Sequence, residues 1–162
     1  MQAFSGLPRP VFAYNFGAVH CSIGPVTLSN FGADGSVSFE YSSQIVESEV
    51  SADGYVVYTS NNDDRVQVTI TLSEASKAVD LLDAQMRKQV ENMHQGKAID
   101  ELVFYMEDPA TGDFIRSPYT VFLQEPGISK SKSLGTREFR LELPYARFAF
   151  QHAKGQSNAT TT

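Results

Sequence analysis

The side chains of this sequence that could form a nucleophile–base pair are three histidines and one cysteine. His20 and Cys21 are adjacent in a segment with the composition of a β-strand, and adjacent strand residues point to opposite faces. They therefore cannot form a thiolate–imidazole pair. His94 and His152 have no carboxylate at metal-ligand spacing. We expect structural roles for these residues rather than catalytic ones.

Acidic pairs and glycine turns are the other motifs with chemical potential. Asp63-Asp64 and Glu107-Asp108 lack the alternating oxygen ligands of a calcium loop. The Ala-Asp-Gly turns at 33–35 and 52–54 lack the lysine and the following helix that a phosphate cradle requires. The glycosylation sequon at 158–160 carries little meaning without a secretory signal. The sequence predicts no enzyme, no metal site and no cofactor.

The composition is that of an ordinary globular chain. Its 162 residues are 41% apolar and 20% charged, which suits one domain with a buried core. No apolar run reaches the roughly 18–20 residues that span a bilayer, and the N-terminus lacks the pattern of a secretory signal. We expect a single domain over residues 1–153, with 1–17 as an N-terminal arm and 154–162 as a flexible tail, and no membrane partner.

Charge is distributed unevenly along the chain. The formal net charge of −6 argues against a protein that holds nucleic acid through its overall charge. Residues 1–72 contain two basic and seven acidic residues, whereas residues 116–154 contain seven basic and three acidic ones. Either this asymmetry is scatter, or the acidic surface of one subunit meets the basic surface of the next. A head-to-tail contact of that kind builds rings or filaments.

Alternating apolar and polar residues predict strands before and after a single helix. The strongest alternation is at 65–72, with further strands at 19–23, 26–28, 36–42, 44–50, 55–59, 102–106, 119–123 and 137–143. The expected fold is mainly β, an antiparallel β-sandwich or barrel with one amphipathic helix. Its strands lack the lysines that usually protect a sheet edge, which favours pairing with another subunit.

The helix is predicted over about 74–94, where apolar residues recur at spacings of three and four. Ser73 is the expected N-cap and Gly96 the expected residue after the C-cap. The apolar stripe that should pack on the sheets consists of Ala75, Val79, Leu82, Met86, Val90 and Met93. The segment 126–134, rich in glycine, serine and lysine, is expected to be a loop.

Two stretches, IGPVTLSNFGADGSVSFEY and SADGYVVYTSNNDDRVQVTITLSEASKAVDLL, give the sequence a family resemblance. Residues 23–82 resemble the tail tube proteins of bacteriophages, especially those with contractile tails, in the order and spacing of their elements. The resemblance implies a structural subunit that forms hexameric rings, stacked into a tube for the genome, with a fold similar to type VI secretion tube subunits. It also implies a virion tail protein, assembled in the host cytoplasm, with tail sheath, tape-measure and baseplate or neck proteins as partners.

A conduit for DNA must not bind DNA, so its wall should be polar or acidic. The candidate lumen-facing residues are on the polar faces of two strands: Ser38, Glu40, Ser42, Gln67, Thr69 and Thr71. Arg65 is an exception that we expect to pair with a carboxylate. The candidate contacts between subunits or rings are Glu47, Glu49, Asp53, Asp63, Asp64, Lys130, Lys132 and Arg137.

Two alternatives stay open at this point. One is a tube subunit of a bacterial secretion system or of a phage-derived contractile particle, which moves effectors instead of DNA. The other is a small-ligand-binding β-barrel, which needs an apolar cavity with a few polar anchors. The polar strand faces could also contact bulk solvent or a sheath instead of a lumen.

Overall fold

The described part of the chain folds into two antiparallel sheets, one α-helix and a separate hairpin. The computed structural model describes residues 16–29, 31, 35–130, 132 and 134–149. The elements are a short 3-10 helix at Phe16–Ala18, then β1 (His20–Ile23), β2 (Val26–Leu28), β3 (Ser36–Tyr41), β4 (Val46–Val50), β5 (Val56–Ser60), β6 (Val66–Ser73), α1 (Lys77–His94), β7 (Phe104–Asp108), β8 (Asp113–Ser117), β9 (Val121–Phe122), β10 (Gly127–Ser129), β11 (Thr136–Leu143) and β12 (Arg147–Ala149). The predicted mainly-β class is confirmed.

One sheet has the strand order β10-β11-β6-β3, with β9 also paired to β11. We call it the central sheet. The eight residues of β6 alternate as predicted, with Val66, Val68, Ile70 and Leu72 almost completely buried. Phe139, Leu141 and Leu143 of β11 lie on the same buried face. Period-2 alternation in both strands therefore gives this sheet one apolar and one polar side.

The second sheet has the order β12-β8-β7-β1-β2. Its buried residues and those of the central sheet form a single hydrophobic cluster, which the helix closes on one side. Phe39 of the central sheet meets Phe104 of the second sheet edge to face, with ring centroids 6.0 Å apart. In the described part of the chain the two sheets pack like a sandwich and do not close into a barrel.

The helix begins three residues later than the sequence predicted. Ser73 ends β6, and Ser76 is the N-cap, since its hydroxyl accepts from the N–H of Ala78 and donates to the carbonyl of Ser29 at 2.6 Å. The sequence does not distinguish the two serines, because each is followed by apolar residues at helical spacing, and the hydrogen bonds of Ser76 select it in the folded chain. At the other end Gly96 has a φ of 70°, as expected for the residue after a C-cap.

The predicted helix stripe is wrong at its ends. Val79, Leu82 and Met86 are buried as expected, and Ala78 and Gln89 join them. Ala75 lies before the helix and is exposed, while Val90 and Met93 are 40% and 39% exposed. Because the helix starts later than predicted, the buried stripe begins at Ala78 instead of Ala75. Near the other end of the stripe, the polar residue Gln89 is buried instead of Val90. Gln89 is buried because it donates to the carbonyl of Thr120 and accepts from the N–H of Phe122.

Three strands were not predicted. β8 lies in a segment for which the sequence predicted no strand, β10 lies in the predicted loop 126–134, and β12 follows the last predicted strand. β8 pairs with β7 and β10 pairs with β11, both of which were predicted as strands, and β12 pairs with β8. Tertiary pairing therefore supplied what their own sequences did not signal.

Several expectations concern residues outside the described part of the chain. These are most of the N-terminal arm, the C-terminal tail, His152, the sequon at 158–160 and the first Ala-Asp-Gly turn up to Asp34.

Candidate lumen and assembly surfaces

The polar side of the central sheet brings together five of the six candidate lumen residues. The strand register aligns them in three rows that run across β3, β6 and β11: Ser36–Thr71–Glu138, Ser38–Thr69–Arg140 and Glu40–Gln67–Glu142. We call this surface the polar face. The face directly behind it is the buried side that carries Ile70, Val68 and Phe139, so its orientation away from the core is fixed.

Ser42 is the one candidate that lies outside these rows. It follows the end of β3, where its N–H donates to the carbonyl of Arg65 at 3.0 Å. It is half-buried in the segment that connects the central sheet to the hairpin. Its position as a lumen residue stays a prediction.

Sequence reasoning missed the four polar-face residues Ser36, Glu138, Arg140 and Glu142. The signal for β11 was present, because its alternation was visible and its apolar face was identified. What the sequence did not show is that β11 pairs with β6 over eight residues. That long-range pairing places the outward side chains of β11 beside Gln67 and Thr69.

The two arginines at the polar face both contact carboxylates. Arg65 donates from Nε and Nη2 to the two oxygens of Asp63, at 2.7 Å each, and its Nη1 lies 3.5 Å from Oε1 of Glu142. Arg140 donates from Nε to Glu138 at 3.0 Å. The expected pairing of Arg65 with a carboxylate is confirmed. The hydrogen bonds from Arg65 hold the pKa of Asp63 well below its usual range, and Asp63 in turn raises the pKa of Arg65.

The hairpin of β4 and β5 forms a two-stranded sheet of its own, and all ten of its strand residues are exposed. Its register pairs Val46 with Ser60, Ser48 with Tyr58, and Val50 with Val56. Because paired residues share a face, one side of the hairpin carries Val46, Val50, Val56 and Tyr58. We call it the apolar hairpin face. An isolated two-stranded hairpin is marginally stable in water, and exposed apolar surfaces of this kind are typical of sites that contact another molecule.

The opposite hairpin side is acidic. Glu47 and Glu49 lie there opposite Thr59 and Val57, and Asp53 is in the turn. No lysine, arginine or histidine occurs between residues 42 and 64. All three candidate contact residues of the hairpin are exposed and lie on this one element: Glu47, Glu49 and Asp53.

The other candidate contact residues are divided between intrachain pairs and open surface. Lys130 contacts both oxygens of Glu74 at 2.6 and 2.7 Å, and Arg137 lies 3.1 Å from Asp83. The first pair connects the residue after β10 to the segment before the helix, and the second connects β11 to the helix. Two further residues, Asp64 and Lys132, are exposed.

The segments that connect the hairpin to the central sheet have a defined geometry. Four residues on one side, 42–45, and five on the other, 61–65, separate the β3–β6 ladder from the β4–β5 ladder. The N–H of Asn61 donates to the carbonyl of Ile45, and the N–H groups of Asp63 and Arg65 donate to side chains of Asn61 and Asp63. We call residues 61–65 the hairpin link.

The candidate catalytic pair has no catalytic geometry. His20 is exposed and Cys21 is completely buried, on opposite faces of β1. Burial raises the pKa of the Cys21 thiol to about 12, so the thiolate is absent at neutral pH. Among the residues that the structure describes, no group of three His, Cys, Asp or Glu side chains could hold a metal ion, and no helix is long and apolar enough to cross a membrane.

Comparison with solved structures identifies the fold. The chain is similar to the anti-feeding prophage cap, an AFP tube-terminating cap, with a TM-score of 0.52 and 8% identity over 93% of this chain and 99% of that chain. It is similar to a sheath/tube terminator of the extracellular contractile injection system PVC in the extended state, with a TM-score of 0.54 and 10% identity over 89% and 99%. A chain of the PVC sheath–tube complex gives a TM-score of 0.52 and 10% identity over 86% and 93%.

No family model matches the sequence, and no curated protein matches it either. At 8–10% identity the similarity establishes the fold. It extends over nearly the whole of each chain, whereas the resemblance in sequence was confined to residues 23–82. The predicted tail-tube-like fold is confirmed.

Proposed function

We propose that this chain is the structural subunit of a phage tail tube, in which hexameric rings stack and the polar face lines a channel for the genome. The observation that carries the proposal is the polar face itself: rows of Ser, Thr, Gln and Glu, with the single arginine Arg140, on the outer side of a sheet whose inner side is the core. A wall of hydroxyl, amide and carboxylate groups stays hydrated and repels a polyanion weakly.

The apolar hairpin face supports the assembly half of the proposal. Val46, Val50, Val56 and Tyr58 are between 48% and 72% exposed in a single subunit. Burying such residues against a second copy would stabilise both the hairpin and the ring stack, at roughly 25 cal/mol per Å² of apolar area. The acidic side of the hairpin would face basic residues of the neighbour such as Lys132, which extends the head-to-tail charge asymmetry to specific elements.

A tube subunit or tube terminator of a contractile injection particle is the second candidate. It is favoured by the three similar structures, which include a tube-terminating cap and a sheath/tube terminator. The same surfaces would serve in both particles, but the cargo would differ. As a terminator the chain would end a tube instead of extending it, with sheath and tube proteins as partners.

Electron microscopy of the purified full-length protein tests the proposal. Tubes or stacked six-fold rings are expected for a tube subunit, because each copy carries both contact surfaces. Single rings that never extend would favour a terminator. A monomer that remains compact at high concentration would contradict both candidates.

A charge reversal on the polar face tests the channel assignment. Glu40→Lys and, separately, Thr69→Lys should leave tube assembly intact and reduce genome release from assembled particles by about tenfold or more, because the added cations bind phosphate. Asp80→Lys, on the exposed side of the helix, makes the same charge change as Glu40→Lys and should release the genome normally. If the polar-face variants assemble and release normally, the polar face does not line the channel.

A further inference from the structure

The polar face contains cations although a DNA channel should have none. Arg140 is in its middle row, and Arg65 reaches its edge, where it contacts Glu142. Both side chains are more than half exposed. A guanidinium in this position is a good ligand for a phosphate, because its planar N–H groups match two phosphate oxygens.

Arg65 has a structural reason to be present. Two of its guanidinium nitrogens and its backbone N–H all donate to Asp63, and its carbonyl accepts from Ser42. These bonds fix the hairpin link where it enters β6. A glutamine could not donate twice to one carboxylate from a planar fork, so the link requires a guanidinium.

We infer that Asp63, Glu138 and Glu142 act as charge shields, which occupy the two arginines and keep the polar face from binding a nucleic-acid polyanion. This inference rests on the proposed function and deepens it. It replaces a general acidity of the surface with specific pairs: Asp63 and Glu142 occupy Arg65, and Glu138 occupies Arg140. Each exposed ion pair adds little to the stability of the fold, but stability is not its role here. A guanidinium whose N–H groups already face a carboxylate would have to give up that partner to bind a phosphate.

Shielding and simple acidity make different predictions, because the face also has an acidic residue that shields nothing. Glu40 is in the same row as Glu142, at the opposite edge, and the structure shows no arginine contact for it among the described residues. If only the sum of charge matters, neutralising Glu40 should have the same effect as neutralising Glu142 or Glu138. If shielding matters, neutralising Glu40 should increase DNA binding much less than neutralising Glu142 or Glu138.

The test compares two variants of the full-length protein with equal charge. The shield variant Asp63→Asn/Glu138→Gln/Glu142→Gln and the matched variant Glu40→Gln/Glu47→Gln/Glu49→Gln each lose three negative charges, so both change the formal net charge from −6 to −3. Binding of a fluorescent 20-base-pair DNA duplex to the dispersed subunit is measured by anisotropy across a salt series.

We expect the shield variant to bind the duplex at least about tenfold more tightly than the matched variant at low salt. Its slope of log affinity against log salt should be steeper by about 0.9 for each freed arginine. Adding Arg65→Gln and Arg140→Gln to the shield variant should abolish the gain. Equal binding by the two variants, or no binding by either, overturns the inference.

A second variant covers the case in which Asp63→Asn disturbs the hairpin link. Glu138→Gln alone leaves Asp63 in place and frees only Arg140, so it should steepen the salt slope by about 0.9, and Glu40→Gln alone should not.

Electron microscopy of the same proteins distinguishes a failure of the charge shields from a failure of the proposed tube function. Tubes without a difference in DNA binding would overturn the shields and leave the tube subunit standing, whereas a failure to form tubes or rings in the wild type would contradict the proposed function itself.

Discussion

Two strands of the central sheet, β3 and β6, directly precede and follow the β4–β5 hairpin in the chain, yet only the central sheet has a core. In β6, apolar residues occupy alternate positions and are buried, whereas in β4 and β5 every residue is exposed. Both elements have valine-rich strands in antiparallel pairs. The difference is what lies behind them: the central sheet packs on the second sheet and the helix, while nothing in the described subunit covers the hairpin. Strand patterning therefore shows that a face is apolar, but not whether the same subunit covers it.

The largest contrast between the two regions should be in the stability of the subunit. Phe139→Ala removes a completely buried side chain and should lower the free energy of unfolding by about 3–5 kcal/mol. Tyr58→Ala removes an aromatic side chain that is 72% exposed and should change it by less than about 0.5 kcal/mol. Urea unfolding of the dispersed subunit measures both.

The milder Phe139→Leu keeps this contrast measurable if the alanine variant does not fold. A loss of stability in Tyr58→Ala comparable to that in either Phe139 variant would mean that the hairpin packs on its own subunit.

The next contrast is between the two sides of the hairpin. Val56 and Val57 are neighbours of the same type with similar exposure, 51% and 55%, but only Val56 lies on the apolar hairpin face. Val56→Ser should reduce polymer formation at a fixed concentration by about tenfold, since an interface residue of this kind contributes about 1–2 kcal/mol. Val57→Ser should have a clearly smaller effect.

Sedimentation of the two valine variants over a concentration series gives the comparison. If Val57→Ser is as damaging as Val56→Ser, the acidic side of the hairpin is also an interface. If neither variant changes assembly, the hairpin does not form the contact at all.

The smallest effect concerns the hairpin link, which joins the two regions. The Arg65 guanidinium keeps the pKa of Asp63 far below an ordinary carboxyl value of about 3.9. The lowered pKa means that ionised Asp63 stabilises the link fully above that ordinary value and loses this role as the pH falls toward the lowered one. The amide resonance of Arg65, whose N–H donates to Asp63, should therefore stay constant down to about pH 3.5.

Arg65→Gln provides the control for this titration. It removes the guanidinium that lowers the pKa of Asp63, so the carboxyl should titrate nearer its ordinary value and the amide at position 65 should shift at a higher pH. A wild-type transition centred near pH 4 would contradict the pairing.

The candidate site could be predicted on two strands and not on the third. The polar-face residues of β3 and β6 could be predicted because both strands alternate strictly, so their polar positions are visible in the sequence; they include Ser38, Glu40, Gln67 and Thr69. Glu138, Arg140 and Glu142 alternate as clearly, but their place beside Gln67 depends on the pairing of β11 with β6 across about 70 residues of chain. Alternation determines which residues share a face of one strand, and it carries no information on which strands are neighbours.

The candidate contact charges show the same limit. The sequence shows only that Lys130 and Arg137 are basic, and on that basis it predicts a contact with another subunit. In the folded chain Glu74 lies beside Lys130 because it directly follows β6, which pairs with β11, and Asp83 of the helix lies beside Arg137. The hairpin acids were different, since no basic residue is near them in sequence and the structure leaves them exposed.

The sequence by itself determined the mainly-β class, most of the strands in their chain order, the helix, the buried side of β6 and β11, and the opposite orientations of His20 and Cys21. These follow from local periodicity, because side-chain direction alternates along any strand. Only the tertiary structure decided which serine caps the helix and which strands lie side by side. It also decided which charged side chains are paired within the subunit and which apolar face the subunit leaves exposed. Each of these depends on contacts between residues distant in the chain, and such contacts form only when the whole core is packed.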